Sequence, residues 1–257
     1  MGPQDIRPLI DGWPHEPGKI TVRTIVGKDG CEKVQMRLDL GLMQMELDGR
    51  PDGAEPEDRE SLLDYHQEQL HTYEEKNGTD IGFELSGEDC QALREESLLY
   101  YHRYLSLFVL EDYVRVERDS ARNLEVLDLC SKYASAEWDR LVLEQYRPYI
   151  VMMNTRARSL QAMNAGMFKT ALAHVEAGLS AIREFFERFD REAAFEQSSE
   201  VQILRALRHE VVQRLPIGAI ERLERKLRRA LREERYEEAA RIRDQLRDLQ
   251  GSSQTEA

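Results

Sequence analysis

The chain is poor in cysteine and has no long apolar run. Three of its 257 residues are cysteines, and Cys31, Cys90 and Cys130 are scattered without a C-x-x-C pair. That number and spacing argue against a disulfide framework and a thiolate zinc site. The longest apolar stretch, 105–110, is interrupted by Ser106 and falls far short of the ~18 residues of a membrane span. No basic and apolar leader opens the chain, so we expect a soluble, cytoplasmic protein with reduced thiols.

The motifs of several common enzyme classes are also absent. The sequence contains no G-x-x-x-x-G-K-[ST] for nucleotide phosphates, no G-x-S-x-G and no H-E-x-x-H. No other catalytic set can be assembled from its residues. We therefore expect a protein that is not an enzyme and that carries no cofactor.

Positive charge is in the minority. The chain has 36 Lys and Arg against 49 Asp and Glu, a formal net charge of −13. A surface of that sign repels phosphate backbones, so direct nucleic-acid binding is not expected. Hydrophobic residues make up 41% of the chain, charged residues 33% and aromatic residues 7%, with eight prolines. This balance favours a folded, mainly helical protein.

The amino-terminal part predicts a small antiparallel β-sheet. After a proline-rich arm, two alternating segments flank the turn sequence Gly27-Lys28-Asp29-Gly30, which is typical of a β-hairpin. The apolar face of the second segment consists of Val34, Met36, Leu38 and Leu40. The apolar positions then shift to odd numbers, Met43, Met45 and Leu47. We interpret the shift as a bulge or bend at Gly41 and expect two or three strands that need a helix to cover them.

The rest of the chain predicts helices. Capping boxes at 61–64 and 86–89 open the first two, the first ending near Asn77-Gly78 and the second near Leu110. Further helices are expected at 112–134, 136–146, 149–164, 167–188 and from Ser198 or Ser199 to Arg214. The predicted regions are an arm and sheet (1–55), a helical scaffold (56–215), a helical hairpin (216–250) and a frayed tail (251–257). The fold class is thus mainly α, with a small antiparallel β-sheet and a carboxy-terminal antiparallel helical hairpin.

One helix pair in the scaffold, 149–188, resembles a tetratricopeptide-type hairpin. The residues that carry the resemblance are Gly166, Phe168, Ala171 and Gly178. In such repeats small residues permit close helix approach. No second copy is visible, and an ordinary αα-hairpin explains the pattern equally well.

The last 30 residues before the tail form two short coiled-coil seams. The first seam is Ile220, Leu223, Leu227 and Ala230, and the second is Ala239, Ile242, Leu246 and Leu249. Both follow +3, +4, +3 spacing. The segment 234–236 separates them and is the predicted turn. Ala230, Ala239 and Ala240 lie near that turn, where we expect the helices to approach most closely.

This hairpin, 220–250, resembles the UVR motif of UvrB and UvrC. The motif closes with an aromatic residue, Glu, any residue, Ala-Ala, two residues and Arg-Asp. The candidate partner-binding residues are Leu223, Leu227, Ala230, Tyr236, Glu237, Ala239, Ala240, Arg243, Asp244 and Leu246. The resemblance implies a bacterial, non-enzymatic adaptor that binds another protein. UvrB, UvrC or a Clp-type chaperone represents the implied partner class, and a homodimer is a further alternative.

Three alternatives to an adaptor remain open. The first is a DNA-repair factor that contacts DNA, or the excision-repair complex, through the arginines of the first hairpin helix. These are Arg222, Arg225, Arg229 and Arg232, which share a helix face by their +3 and +4 spacing. Interspersed glutamates dilute that face. The second alternative is a C-terminal helix pair that packs on the protein's own core. The third is an enzyme with its site near the turn at 48–53, for which no catalytic set can be assembled.

Three other groups of residues invite a binding site. Glu68 and His71 have the spacing of carboxylate-bridged di-iron ligands, but a solvated helix face explains them better. An acidic cluster, which consists of Asp39, Glu46, Asp48 and Asp52, has oxygen ligands for a hard cation, although turn formation explains it equally well. Tyr100, Tyr101, His102 and Tyr104 could line a pocket, but helical spacing favours core packing.

Overall fold

The computed structural model describes the backbone of residues 5–215, 219–233 and 235–252, and their side chains except those of 219–224 and 245–252. These residues are mainly helical, with one small antiparallel sheet near the amino terminus. The fold class predicted from the sequence is confirmed. The chain forms two compact units, residues 1–212 and residues 213–257.

The sheet has three strands in the order β1-β2-β3. The strands are β1 (Thr21–Val26), β2 (Glu32–Leu38) and β3 (Gly41–Glu46). Both neighbouring pairs are antiparallel. The turn between β1 and β2 closes with a hydrogen bond from Gly27 N–H to the Cys31 carbonyl, 2.7 Å long.

The phase change that we assigned to a bulge at Gly41 is a tight hairpin instead. Leu38 pairs with Gly41, so residues 39 and 40 alone form the loop. A two-residue loop pairs even positions with odd ones, and Val34 therefore lies opposite Met45. The prediction was wrong for Leu40 as well, because this residue occupies the loop and is 94% exposed.

The polar face of β2 is covered, which the alternation did not indicate. Gln35 is 4% exposed, and its side chain accepts a hydrogen bond from Arg23 Nε (2.8 Å) and donates one to Gln44 (2.9 Å). The Arg23 guanidinium lies 3.9 Å from the ring of Trp13, in the amino-terminal arm. The arm thus buries a polar ladder that crosses all three strands.

The helices follow the sheet in chain order. They are α1 (Arg7–Ile10) in the arm, then α2 (Leu62–Asn77), α3 (Gly87–Val109), α4 (Tyr113–Tyr133), α5 (Glu137–Leu141), α6 (Arg147–Asn164), α7 (Phe168–Arg188), α8 (Glu192–Phe195), α9 (Ser199–Arg214), α10 (Ala219–Arg232) and α11 (Tyr236–Ser252). The predicted caps are confirmed: Ser61 and Ser86 accept the third backbone N–H of α2 and α3. Gly78 ends α2 with a φ of +73°, a value that glycine adopts without strain.

The helix expected at 136–146 was predicted too long. It divides into α5 and a 3-10 turn at Glu144–Tyr146. Pro148 stands in the first turn of α6, where its missing N–H costs nothing, so a new helix begins there. Glu144, 3% exposed, accepts both guanidinium hydrogen bonds of Arg147 at 2.7 Å.

Two hydrophobic clusters form the core of the first unit. One joins the apolar face of the sheet to α3, α4, α6, α7 and α9, and includes Val34, Tyr104 and Val175. The other joins α2, α3, α4 and α6, and includes Leu93 and Val126. Burial of these side chains is the main term that stabilises the unit.

A buried ion pair ties the sheet to the helices. Arg103 in α3 donates through Nε and Nη2 to both carboxylate oxygens of Asp119 in α4, at 2.7 and 2.9 Å. Both side chains are at most 1% exposed. Arg103 Nη1 also donates to the carbonyl oxygens of Glu46 and Gly49, at 3.0 and 2.7 Å. One guanidinium therefore holds two helices and the turn after β3 together.

Candidate interaction surface of the carboxy-terminal hairpin

The second unit contains the helical hairpin that the sequence predicts. Helix α10 ends at Arg232 and α11 begins at Tyr236. Arg235 N–H donates to the Ala230 carbonyl at 2.8 Å, and Ala239 N–H donates to the Arg235 carbonyl at 3.0 Å. The first bond closes the end of α10, and the second starts α11. Tyr236, which we had placed in the turn, is the first residue of α11.

The described side chains of the two seams form one small apolar cluster. Ala230 is fully buried, Ala239 is 5% exposed, Ile242 is 6% exposed, and Leu227 packs partly buried against them. The seam prediction is confirmed for these four residues. The other predicted seam side chains, at Ile220, Leu223, Leu246 and Leu249, lie outside the described side chains. Alanine at the contact allows close approach of the two helices, as its small volume predicts.

The remaining candidate residues lie on the surface. Tyr236 is 65% exposed. The side chains of Glu237, Ala240, Arg243 and Asp244 are also exposed. The structure thus divides the motif into buried alanines, at Ala230 and Ala239, and an outer set of aromatic and charged side chains.

One further apolar residue of the hairpin, Leu231, was not predicted from the sequence. It is 50% exposed and lies in the last turn of α10. Leu231 and Tyr236 therefore flank the hairpin turn, one on each helix, and both present apolar surface to solvent. We call these two residues the tip pair. The sequence offered a signal for this residue, because Leu231 follows the seam residue Ala230 at a heptad position that is normally polar.

Ion pairs within the hairpin engage several of its basic side chains. Arg229 Nε donates to Glu233 at 2.9 Å, Arg235 to Glu238 at 2.6 Å, and Arg243 to Asp244 at 3.1 Å. Hydrogen bonds from Arg229 and then Arg235 lower the pKa of Glu233. These exposed pairs are individually weak. They nevertheless place a carboxylate beside each of these guanidinium groups, and that carboxylate would repel an approaching phosphate.

The metal candidates do not converge. Glu68 pairs with Arg59, whereas His71 lies beside Glu75 at 3.3 Å with its side chain 71% exposed. Each of the four residues of the acidic cluster pairs with a different base: Asp39 with His15, Glu46 with Lys33, Asp48 with Arg115 and Arg118, and Asp52 with Arg50. Among the described residues, no group of three or more His, Cys, Asp or Glu could hold a metal ion.

The tyrosines at 100, 101 and 104, which the sequence offered as a possible pocket lining, lie in the core or line a cleft. Tyr100 and Tyr104 are 3% and 1% exposed, as core packing predicts. Tyr101 is half-buried and, together with Tyr104, lines a cleft in the first unit.

Comparison with known families gives one match, which coincides with the hairpin. The UvrB/uvrC motif matches residues 218–252, so the UVR resemblance noted in the sequence is confirmed over that segment. No curated protein and no solved structure matches the chain significantly. Within the described part of the chain, no helix is long and apolar enough to cross a membrane.

Proposed function

We propose that this protein is a non-enzymatic interaction adaptor whose carboxy-terminal hairpin binds another protein. The observation that carries the proposal is a UvrB/uvrC motif that forms a compact helical unit of its own, with the tip pair Leu231 and Tyr236 exposed. The motif is associated with protein contacts in excision repair, which supports a protein partner.

The size of the hairpin supports the proposal independently. Its described core consists of three buried residues and one partly buried leucine, and its helices, of 14 and 17 residues, are close to the length of about 15 residues below which an isolated helix is marginal. A fold of this size normally needs a further stabilising contact. A partner that covers the tip pair would supply that contact.

The chemistry of the surface defines the partner. A tyrosine at the apolar centre of a contact, with arginines and other charged residues around it, is typical of an interface hot spot. Tyr236 and Leu231 provide the apolar centre, and the pairs formed by Arg229, Arg235 and Glu233 provide the rim. The expected partner surface is a helical groove with an apolar pocket and alternating charges.

The test compares two hairpin variants with a matched control in the full-length chain. Leu231→Asp and Tyr236→Ala change exposed side chains, so both should leave circular dichroism unchanged. Leu141→Asp is the control, because Leu141 is 49% exposed and lies in the first unit. Affinity capture from cells, quantified by mass spectrometry, identifies proteins that the wild type and the control retain. The affinity of each purified candidate is then measured by titration.

The proposal predicts that both hairpin variants weaken one such partner at least tenfold, as hot-spot truncations do, while Leu141→Asp does not. Equal binding by all four proteins would overturn it. Self-association of the wild type that Leu231→Asp abolishes, seen by analytical ultracentrifugation, would assign the surface to a second copy of the chain. Tight, salt-sensitive duplex binding that Arg229→Glu weakens would favour the DNA-repair alternative.

A further inference from the structure

A cleft of about 670 Å³ opens in the first unit between α3, α4, α6 and the start of α9. It lies far from the hairpin in sequence, and no motif of the chain accounts for it. The side chains that matter for its chemistry are Leu98, Tyr101, Asn123, Tyr146, Tyr149 and Glu200. Its volume is in the range of pockets that hold small organic molecules.

The walls of the cleft are aromatic and aliphatic. The rings of Tyr101 and Tyr104 meet edge to face with centroids 5.5 Å apart, and Tyr149 lies 6.1 Å from Tyr101. Leu98 and Tyr146, both 54% exposed, stand at the opening. A planar ring that enters the cleft would therefore contact apolar side chains on both of its faces.

One residue that lines the cleft, Asn123, has a buried polar atom without a hydrogen-bond partner. Asn123 in α4 is 2% exposed. Its amide nitrogen donates to the Ser97 carbonyl at 2.9 Å, which fixes the orientation of the side chain. Its carbonyl oxygen Oδ1 is buried and accepts no hydrogen bond. An unpaired buried acceptor is costly, and a ligand N–H or O–H would satisfy it.

The charged side chains that line the cleft are already engaged. Arg94 is paired with Asp139, and its guanidinium lies 5.0 Å from the ring of Trp138. Glu200 accepts a hydrogen bond from the Ser198 hydroxyl at 2.7 Å. An anionic ligand would have to displace Asp139 from Arg94 and would be repelled by Glu200, whereas a neutral ligand meets neither obstacle.

We propose that this cleft binds a neutral small molecule with a planar aromatic ring and one N–H or O–H donor, which hydrogen-bonds to Asn123 Oδ1. The ring is held between the tyrosines, and the donor is directed to the floor of the cleft. This function is separate from partner binding by the hairpin, and either one can fail without the other.

Two probes of the same shape test the role of the donor. Indole carries one N–H, and benzofuran replaces that group with an oxygen that cannot donate. Titration of the full-length protein, followed by calorimetry and by the tyrosine ring signals in NMR spectra, should give saturable binding of indole. Benzofuran should bind about tenfold more weakly, since it leaves Asn123 Oδ1 unpaired.

Two variants test the position of the site. Asn123→Leu should remove the difference between the two probes, whereas the control Asn154→Leu should preserve it, because the Asn154 amide donates to Glu117 and Ser120 and does not line the cleft. Tyr146→Ala removes an exposed wall and should weaken indole severalfold. Its control is Tyr236→Ala, which changes an exposed tyrosine of the hairpin.

Any one of three results would overturn the proposal: no saturable indole binding by the wild type, equal affinity for indole and benzofuran, or equal effects of Tyr146→Ala and Tyr236→Ala. If Asn123→Leu fails to fold, the comparison of the two probes on the wild type and the Tyr146 variant still decides. Hairpin partner binding should be unaffected by Tyr146→Ala.

Discussion

Gly178 in α7 lies directly against Thr155 in α6. A Cβ atom at Gly178 would be 2.2 Å from Thr155 Oγ1, 2.6 Å from Cγ2 and 2.8 Å from Cβ. Both residues are buried, so a side chain added at Gly178 cannot avoid Thr155 by moving into solvent. The sequence had marked Gly178 as a position of close helix approach, and the geometry agrees.

We predict that Gly178→Ala destabilises the protein, although alanine normally favours a helix. The added methyl overlaps Thr155, and overpacking of this kind typically costs about 1–3 kcal/mol. Gly178→Val should cost more. Chemical denaturation measures the loss. Gly87→Ala is the control, since its Cβ would lie 3.5 Å from the nearest atom, a side-chain oxygen of Asp139.

A second substitution at the partner position separates this contact from other causes. Thr155→Ala removes Oγ1 and Cγ2 but leaves the 2.8 Å approach of Cβ, so it should restore part of the stability of Gly178→Ala. A double-mutant cycle would then show a coupling energy above about 0.5 kcal/mol. A gain in stability from Gly178→Ala alone would contradict the close approach and the tetratricopeptide analogy together.

Gly166 is required for a different reason, its backbone conformation. It follows α6 with a φ of +73°, and a Cβ there would meet nothing within 4 Å. Strain alone therefore decides the effect of a side chain. Gly166→Val should lower the melting temperature clearly, whereas Gly166→Asn should lower it less, because asparagine tolerates this region. Equal losses for the two variants, measured by calorimetry, would argue against a strained position.

The predictions that the structure confirms concern features formed by residues close together in the sequence. Strand alternation around Val34 and the caps at Ser61 and Ser86 involve residues a few positions apart, and the structure confirms them. The hairpin seams were found for the same reason. The turn at 39–40 was misassigned because a bulge and a two-residue loop produce the same phase change.

Features made by distant residues escaped prediction. Arg103 and Asp119 lie on different helices, and nothing local shows that a charged side chain in an amphipathic helix will be buried. Asn123, Tyr101 and Tyr149 line one cleft only after the three helices α3, α4 and α6 pack together. Leu231 was visible in the sequence, but its exposure depends on which face α11 covers.

The buried ion pair yields the largest predicted loss of stability. Asp119→Asn leaves the Arg103 guanidinium uncompensated in the core, and breaking a buried pair costs about 3–5 kcal/mol. The carbonyl contacts of Arg103 to Glu46 and Gly49 should then loosen the turn after β3. Urea denaturation gives the loss, and hydrogen exchange at residues 46–49 reports the loosening.

An exposed pair provides the control for Asp119→Asn. Arg205 and Glu196 form a two-pronged pair at 2.7 and 2.8 Å on the surface, where solvent screens the interaction. Glu196→Gln should leave the denaturation midpoint almost unchanged. Comparable losses for Glu196→Gln and Asp119→Asn would show that burial does not govern the strength of these pairs.

Stability should decline as the pH falls from 7.5 to 5.5. Burial lowers the pKa of His66 below its ordinary value, against the opposing effect of Asp89 and Glu96, and burial also lowers the pKa of His102 and His174. Below about pH 6.5 the unfolded chain binds protons that these folded histidines do not. Each therefore reduces the free energy of unfolding by at most about 1.4 kcal/mol per pH unit.

Chemical denaturation across that pH range gives the slope, and NMR titration of the His66 ring gives its pKa directly. His66→Gln should flatten the slope, because it removes one of the three titrating groups. A His66 pKa above 6.5, or a slope that the substitution leaves unchanged, would show that its burial does not control the acid response.

The seam of the hairpin should control both its folding and its binding. Leu227 packs against Ala230, Ala239 and Ile242, so Leu227→Asp places a charge in that cluster, where an unpaired buried charge is very costly. Helices α10 and α11 should unfold, and partner capture should vanish. The cooperative melting of residues 1–212 should persist, because those residues form a separate compact unit.

Leu231→Asp is the matched control, since it makes the same substitution one turn later, at a side chain that is 50% exposed. It should abolish capture while the hairpin keeps its helicity, whereas Leu227→Asp should lose both. Circular dichroism of the full-length variants separates the two results. If Leu227→Asp instead lowers the helicity of the whole protein, the hairpin belongs to the core of the first unit, because only a shared core would transmit the damage.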